Sequence, residues 1–463
     1  MSGIKTYTLL VFSALLYALP ALYNTYFWWC SFLFLLPFFY VVVLNNHLSY
    51  KQAYVWSFFA NAFHLAGICI GIVTMAEGPL AQALFVALCI ICYAALFGLS
   101  ITFIAKVVLR YVFFSMRYSV VWSYIFAMWI YFLLMDHVCM MPFDVVEGYF
   151  LLHPVLPLVV YPSFVRLLPW LHGEGLCAIL LTTQASLFGF LYDRSLYWKK
   201  FLFVCMLFWL GCLLFPVQKS AKPVWFEDVV TVPYVFRAQP SVDNMVQLAT
   251  AFFKDIIAMH NNATIFLMPE ASFYYDKLAE TVLPYALTKQ YTSKPIHLLT
   301  GAFAWDKNQY RNTLYWFYDG NVQHQFHKKH AMVLTERTPS LFRYQLIHDL
   351  YFKNMHEIVP SDNERPVLNI TDQFTVVPYI CSELFFAKRP RDCFKACMIY
   401  ALCNDRWTVD YVKLLMLRVA QYKAIEWNRC VVYVSFAYQY YIDPAGAMLQ
   451  LQKYTAAKKF NVW

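Results

Sequence analysis

The amino-acid sequence predicts a polytopic α-helical membrane region of about seven helices, residues 1–217, followed by an α/β domain, residues 218–463. Composition is the first reason, because 61% of the 463 residues are hydrophobic and 14% are charged, whereas soluble domains carry about 25% charged residues. Distribution is the second: residues 1–217 hold 9 Lys or Arg and 6 Asp or Glu, and residues 218–463 hold 27 and 21. These figures exclude a wholly soluble enzyme, a disordered chain and a nucleic-acid-binding protein.

Seven apolar stretches in the first region approach the roughly 20 residues that a helix needs to cross a bilayer. They are residues 7–22, 26–44, 53–75, 80–109, 118–140, 175–191 and 202–217. A cleaved signal peptide is the alternative for the first stretch, because Lys5 precedes a short apolar run. The spans that follow at once favour a retained helix.

Basic residues predict the orientation of these helices, because Lys and Arg collect on the cytoplasmic side of a membrane. With the N-terminus inside, the outer loops ahead of the second domain hold only Arg166, and eight basic residues face the cytoplasm. The eight are Lys5, Lys51, Lys106, Arg110, Arg117, Arg194, Lys199 and Lys200. Seven spans then place the second domain on the outer face of the membrane.

The 13 cysteines show no pattern of a disulfide framework. Eight lie at or before Cys212, mostly within predicted spans, where cysteine behaves as a small apolar residue. An odd number in the outer domain is consistent with a free reactive thiol. These five are Cys381, Cys393, Cys397, Cys403 and Cys430.

In the second region, apolar runs typical of strands alternate with helical patterns, which predicts an α/β domain. Helices are predicted at residues 242–259, with Ser241 as N-cap, and at 409–426. Asp319-Gly320 joins strands 313–318 and 321–328 as a hairpin, because Asp-Gly suits a type I′ turn. A second hairpin turns at residues 443–446. The other strands are predicted at residues 229–235, 264–268, 296–304, 374–380, 398–403 and 430–437.

Three predicted strand ends carry residues suited to one reaction: Glu270, Lys328 and Cys381. Ligand sites collect at strand ends of α/β sheets. A thiol nucleophile needs a base, a cation that favours the thiolate, and donors for the oxyanion. Position alone favours a structural role, since a Lys at a hairpin end is usually solvated and a Cys after a strand is usually core.

The residues around these three resemble the motifs of the nitrilase, or carbon–nitrogen hydrolase, superfamily. Leu267-Met268-Pro269-Glu270-Ala271 resembles its Pro-Glu motif, and Ile380-Cys381-Ser382-Glu383 resembles its Cys-Tyr-Glu nucleophile segment. Arg311-Asn312-Thr313, then Asp319-Gly320 and Phe326-His327-Lys328, resemble the hairpin that leads to its catalytic Lys.

Two further segments extend the resemblance. Glu336 stands eight residues after Lys328, which favours Lys328 over Lys329, and Pro339 follows. Asn404-Asp405-Arg406-Trp407 resembles the family's Asn-Asp-Gly-Trp segment. With membrane helices ahead of such a domain, the chain resembles the bacterial apolipoprotein N-acyltransferase family.

The resemblance implies an α-β-β-α sandwich on the periplasmic side of a bacterial inner membrane. It implies that Glu270 is the general base, Cys381 the nucleophile and Lys328 the cation that stabilises the tetrahedral intermediate. Glu336 would hold Lys328, and Glu383, Ser382, Asn312 and Trp407 would support the site. A phospholipid would donate an acyl chain to Cys381, and an amine such as a lipoprotein N-terminus would accept it, without a cofactor.

Departures from the family pattern lie around the expected catalytic residues. The family's Leu-Val-Pro-Phe-Gly-Glu run is Ala331-Met332-Val333-Leu334-Thr335-Glu336 here, Ser382 stands in place of Tyr, and Arg406 in place of Gly. We therefore expect retained acyl chemistry with an altered donor or acceptor. Conjugal-transfer proteins of the TraB type are the alternative subfamily.

Two other functions stay open. A membrane-anchored amidase or nitrilase would use water as acceptor, although seven spans exceed what an anchor needs. A non-catalytic component of an envelope or conjugation complex would keep the fold alone, although retention of the triad and Glu336 counts against it.

A group of three histidines and an aromatic segment each allow a structural or a functional interpretation. His324, His327 and His330 are expected to form a solvated hairpin rather than a metal site, because only the first and last share a strand face and no Cys or carboxylate completes a zinc set. The aromatic segment 338–352 is either core or a lid that dips into the outer leaflet and admits acyl chains.

Overall fold

A computed structural model of the protein describes residues 3–75, 80–112, 119–137, 153–214, 221–235, 242–260, 262–273, 295–306, 309–331, 336, 357–361, 364–386 and 398–454. These residues form two compact units. The first contains the described residues up to Leu214 together with Trp407–Glu426, and the second contains the other described residues from Ala221 onward. The predicted aromatic segment 338–352, Pro339 and Ser241 lie outside the described residues.

The first unit consists largely of apolar helices. They are α1 (Gly3–Leu22), α2 (Asn24–Phe27), α3 (Leu35–Leu44), α4 (Tyr50–Met75), α5 (Leu80–Tyr111), α6 (Ser119–His137), α7 (Pro162–Val165), α8 (Leu168–Tyr192) and α9 (Leu196–Leu214). Within the described ranges, four helices are long and apolar enough to cross a membrane: Gly3–Leu22, Tyr50–Gly71, Leu168–Tyr192 and Leu196–Leu214. Phe203, Leu207 and Leu210 of α9 are exposed, as expected where lipid replaces water. Seven membrane-crossing helices stay a prediction.

The second predicted span, residues 26–44, is interrupted in the structure. A 3-10 turn at Trp28–Phe32 follows α2, and α3 begins only at Leu35. Pro37 accounts for the break, because proline has no N–H to donate to the preceding turn. Gln184 of α8 satisfies backbone groups at the break: its side chain accepts from Leu35 N at 2.8 Å and donates to Ser31 O at 3.0 Å. Backbone N–H and C=O groups in apolar surroundings need such hydrogen-bond partners, because no water is there to satisfy them.

The second unit contains two six-stranded mixed sheets. The first has the order β12-β1-β2-β3-β4-β5 and the second β11-β10-β9-β8-β7-β6. In chain order the strands are β1 (Val229–Thr231), β2 (Ile265–Leu267), β3 (His297–Asp306), β4 (Gln309–Tyr318), β5 (Asn321–His327), β6 (Leu368–Thr371), β7 (Phe374–Ile380), β8 (Met398–Leu402), β9 (Cys430–Val434), β10 (Gln439–Ile442), β11 (Met448–Gln450) and β12 (Gln452–Lys453).

The parallel strands at the centre of each sheet bring their carboxyl ends to one edge. β1, β2 and β3 pair in parallel, as do β7, β8 and β9. β4 and β5 extend the first sheet antiparallel, and β10 and β11 extend the second. This arrangement places residues that follow β2, β7 and β8 where a site forms in α/β folds.

The two sheets face each other. The Tyr400 hydroxyl on β8 donates to the carbonyl of Met268, just after β2, at 2.8 Å. Helix α10 (Val242–Met259) packs its Phe252 and Ile256 into a buried cluster with Phe266 and Phe317 of the first sheet. The remaining helices are α11 (Glu383–Phe386) and α12 (Asp410–Trp427), and most of α12 groups with the apolar helices of the first unit.

The predicted hairpin turn has the expected conformation. Asp319 and Gly320 both have positive φ, 48° and 80°, which a type I′ turn requires. Strands β6 and β12, of four and two residues, were not predicted.

Candidate active site

Glu270, Lys328 and Cys381 meet in the second unit. Glu270 follows β2, Lys328 follows β5 directly, and Cys381 follows β7 directly. Lys328 Nζ lies 3.1 Å from Glu270 Oε1, and the charges of Glu270 and Lys328 both act on the Cys381 thiol. Their exposed fractions are 3%, 1% and 4%, respectively. The structure therefore joins a carboxylate, an ammonium and a thiol in one buried cluster.

Backbone geometry brings Glu270 and Cys381 into position. A Cβ at Gly301 of β3 would lie 2.6 Å from Glu270 Cα, so only glycine permits this close approach. Cys381 itself has φ 49°, a left-handed conformation that costs energy for a non-glycine residue and recurs at functional sites. Its N–H donates to Leu402 O at 2.7 Å, which ties the turn to β8.

Glu336 and Asn312 fix the charged pair. Lys328 Nζ lies 2.8 Å from each carboxylate oxygen of Glu336. The Asn312 amide donates to Glu270 Oε1 at 2.5 Å and to Glu336 at 2.9 Å. The backbone N–H of Asn404 donates to Glu270 Oε2 at 2.9 Å. Both predicted supporting residues thus contact the cluster, and they leave Glu270 as a well-oriented carboxylate.

Glu383 connects the Lys328 and Cys381 segments. Its Oε1 accepts from Lys329 N at 2.6 Å, and its Oε2 accepts from Ile380 N at 2.8 Å. Arg365 pairs with the same carboxylate at 3.1 Å and lies over the ring of Tyr379. Glu383, Ile380 and Arg365 are buried, so this carboxylate holds two backbone segments together in the interior.

The other predicted residues fall in different places. Ser382 is buried beside Cys381, and its hydroxyl donates to His330 O at 3.2 Å. Trp407 belongs to the first unit, where its ring lies against Gly71 of α4. His327 Nδ1 is 2.8 Å from Thr313 Oγ1, and the His324 ring stacks on Trp316. Across the described part of the chain, no cluster of His, Cys, Asp and Glu is suited to a metal ion.

The electrostatics of the cluster favour a neutral thiol at rest. The pKa of Cys381 is raised well above its ordinary value, first by a hydrogen bond with Cys403 and then by burial and Glu270, while Lys328 opposes these. The pKa of Glu270 is also raised, mainly by burial, with Glu336 adding to the shift and Lys328 opposing it. Burial lowers the pKa of Lys328, but Glu270, Glu336 and Cys381 outweigh it and raise it well above its usual range.

These shifts define what the site can do. A carboxylate with a raised pKa is a stronger base, and Glu270 is placed to take the thiol proton as Cys381 attacks. Lys328 stays an ammonium and can stabilise a developing oxyanion in a buried site. The arrangement is therefore suited to nucleophilic acyl chemistry.

Four contributors to the site were not predicted from the sequence as parts of it: Gly301, Arg365, Cys403 and the Asn404 backbone. A glycine inside the predicted strand 296–304 was an available signal for close backbone approach. Cys403 ends the predicted strand 398–403, but its adjacency to Cys381 depends on strand order. No local pattern marks Arg365.

No protein-family model matches the sequence, and no curated protein matches it significantly. Structural neighbours include carbon–nitrogen hydrolase superfamily proteins at low identity. A carbon–nitrogen hydrolase from Helicobacter pylori G27 is 12% identical over 47% of this chain and 82% of its own, with TM-score 0.33. A CN-hydrolase superfamily protein from Xanthomonas campestris with an arsenic adduct in its active site is 14% identical over 44% and 80%, with TM-score 0.30.

A third neighbour is the glutamine-dependent NAD+ synthetase from Acinetobacter baumannii in complex with ADP. It is 13% identical over 45% of this chain, with TM-score 0.33. This chain spans 40% of that protein's length. At such scores the likeness assigns no activity, so function rests on the site.

Proposed function

We propose that the protein is a membrane-bound acyltransferase that moves an acyl chain from a phospholipid, through a thioester on Cys381, to an amine such as a lipoprotein N-terminus. The meeting of Glu270, Lys328 and Cys381 in one buried cluster carries the proposal. The motif resemblance names the same three residues. Helices apolar enough to cross a membrane support a substrate with lipid tails.

In the first half-reaction, Cys381 Sγ attacks the ester carbonyl carbon and Glu270 takes the thiol proton. The carbonyl oxygen becomes an oxyanion that Lys328 stabilises, assisted by the backbone N–H of Ser382. The ester C–O bond then breaks, and Glu270 returns the proton to the leaving alkoxide. The products are a thioester and a lysophospholipid.

In the second half-reaction, the acceptor amine attacks the thioester carbonyl. Glu270 takes a proton from the amine, the C–S bond breaks, and Cys381 leaves as a thiolate that Lys328 stabilises before the proton returns to it. The product is an amide. Release of the first product before the second substrate reacts gives ping-pong kinetics.

The same triad would serve a hydrolase that uses water in place of the amine. A hydrolase and a transferase share the first half-reaction and differ in the fate of the thioester. The experiment therefore follows the acyl group through both halves.

Full-length protein in phospholipid nanodiscs with an alkyne-tagged acyl chain should acquire a hydroxylamine-labile tag on Cys381. Cys381→Ala should carry no tag, whereas the matched variant Cys430→Ala should keep it, because Cys430 lies at the opposite end of the second sheet, hydrogen-bonded to Tyr441. Addition of a diacylglyceryl-cysteinyl peptide should move the tag to the peptide. Tagged free acid without peptide would establish the hydrolase, and an untagged wild type or an active Cys381→Ala would refute both.

A further inference from the structure

A second thiol lies beside the nucleophile and takes no part in the proposed reaction. β7 and β8 pair in parallel with Ile380 opposite Leu402, so Cys381 and Cys403 are the next residues on the two strands. Both cysteines are free and buried, and the Cys381 N–H donates to Leu402 O at 2.7 Å, which joins the two segments. Cys403 is also close enough to raise the pKa of Cys381. The two thiols are therefore neighbours in the interior of the second unit.

The spacing of the pair fits a covalent link. Neighbouring strands lie about 4.8 Å apart, and the Cα atoms of disulfide-bonded cysteines are usually about 4.4–6.8 Å apart. Cys403 is anchored by its own N–H, which donates to Val434 O at 2.9 Å. Tyr433 lies on the neighbouring strand β9 and interacts with both thiols. The register of the two strands therefore places the two cysteines within the range in which a disulfide can form.

A disulfide between Cys381 and Cys403 would remove the thiol that acts as nucleophile in the proposed reaction. Cys381 Sγ attacks the substrate carbon in the proposed mechanism, and a sulfur in a disulfide has no free thiolate to do so. A nearby thiol also intercepts a sulfenic acid before further oxidation, which is irreversible for most proteins. Cys403 is thus placed where a resolving cysteine acts.

We propose that Cys403 is an oxidative modification site that joins Cys381 in a reversible disulfide, with a hydroperoxide as the oxidant. Glu270 takes the Cys381 thiol proton while Sγ attacks one oxygen of hydrogen peroxide. The O–O bond breaks, Cys381 becomes a sulfenic acid, and the leaving hydroxide takes the proton from Glu270 as one water. Cys403 Sγ then attacks the Cys381 sulfur, the S–S bond forms, the S–O bond breaks, and hydroxide leaves with the Cys403 proton as a second water. Two thiols and one peroxide yield one disulfide and two waters.

The test is peptide mapping of the full-length protein, wild type, Cys403→Ser and Cys430→Ser, after hydrogen peroxide and blocking of remaining thiols with N-ethylmaleimide. We expect a linked pair of peptides containing Cys381 and Cys403 in the wild type and in Cys430→Ser, cleaved by dithiothreitol. In Cys403→Ser we expect Cys381 to carry two or three oxygen atoms that dithiothreitol does not remove. The readout uses no acyl donor, so it stands even if the proposed acyl transfer fails.

The wild-type map alone is decisive if Cys403→Ser does not fold. Oxygenated Cys381 beside a Cys403 that is still alkylated by maleimide would overturn the proposal. A Cys381 peptide linked to any other cysteine would overturn it equally.

Discussion

Replacing Gly301 with alanine should slow acylation of Cys381 by displacing its general base. The added Cβ would lie 2.6 Å from Glu270 Cα and 3.0 Å from Ala271 N, whereas ordinary contact begins at 3.4 Å. The obstacle is backbone and cannot rotate away, so the Gly301 and Glu270 backbones must separate by the difference between 3.4 and 2.6 Å, which is 0.8 Å. A displacement of about 1 Å in a catalytic group costs on the order of 100-fold in rate.

Stability should fall at the same time, because overpacking costs about 1–3 kcal/mol. The rate is measured as the first-turnover release of p-nitrophenol from a p-nitrophenyl acyl ester, and stability as the melting temperature. Gly211→Ala is the matched control, since nothing lies within 4 Å of a Cβ there and alanine favours a helix over glycine. A Gly301→Ala protein that melts like the wild type and acylates at its rate would refute the reasoning.

Three further predictions concern the charges of the site. Lys328→Met strands the buried carboxylates of Glu270 and Glu336, so we expect loss of acylation and a fall of about 3–5 kcal/mol in the free energy of unfolding. Lys222→Met, which removes an exposed pair with Glu227, should lower the free energy of unfolding far less, because water screens exposed charges; equal losses in a denaturant titration would contradict this. In a pH profile of kcat/KM, the pH at which activity falls to half on the acid side should lie above 4.5. The reason is that burial raises the pKa of Glu270 and that this base works only when deprotonated. A half-maximal pH at or below 4.5 would count against Glu270. Arg365→Met should lower the melting temperature more than Arg365→Lys, since Lys keeps a cation beside Glu383; no difference would show that the ion pair is not stabilising.

Local patterns predicted most of the elements that carry the site. Apolar runs marked β3 and β7, and Asp319-Gly320 marked the hairpin of β4 and β5, because apolar runs and turn conformation depend on near neighbours. Position at strand ends alone favoured a structural role for Glu270, Lys328 and Cys381, and the resemblance of the surrounding segments to nitrilase motifs singled them out. The prediction of one continuous helix at residues 26–44 was wrong. These residues are uniformly apolar, but Pro37 interrupts the helix.

Contacts between distant segments could not be predicted in this way. Three contacts join residues that are distant in the chain. They are the approach of Gly301 to Glu270, the ion pair of Arg365 with Glu383 and the proximity of Cys381 to Cys403. Each depends on strand order and register, which non-local packing decides.

The sequence by itself therefore determined an apolar helical region, an α/β domain and the three residue types needed for thiol chemistry, because composition and periodicity are local properties. Only the tertiary structure decided that these residues share one buried cluster, that Arg365 pairs with Glu383, and that Cys403 lies beside Cys381. The physical reason is that burial and proximity set the pKa values and hydrogen bonds of the site, and both arise only when the two sheets pack together.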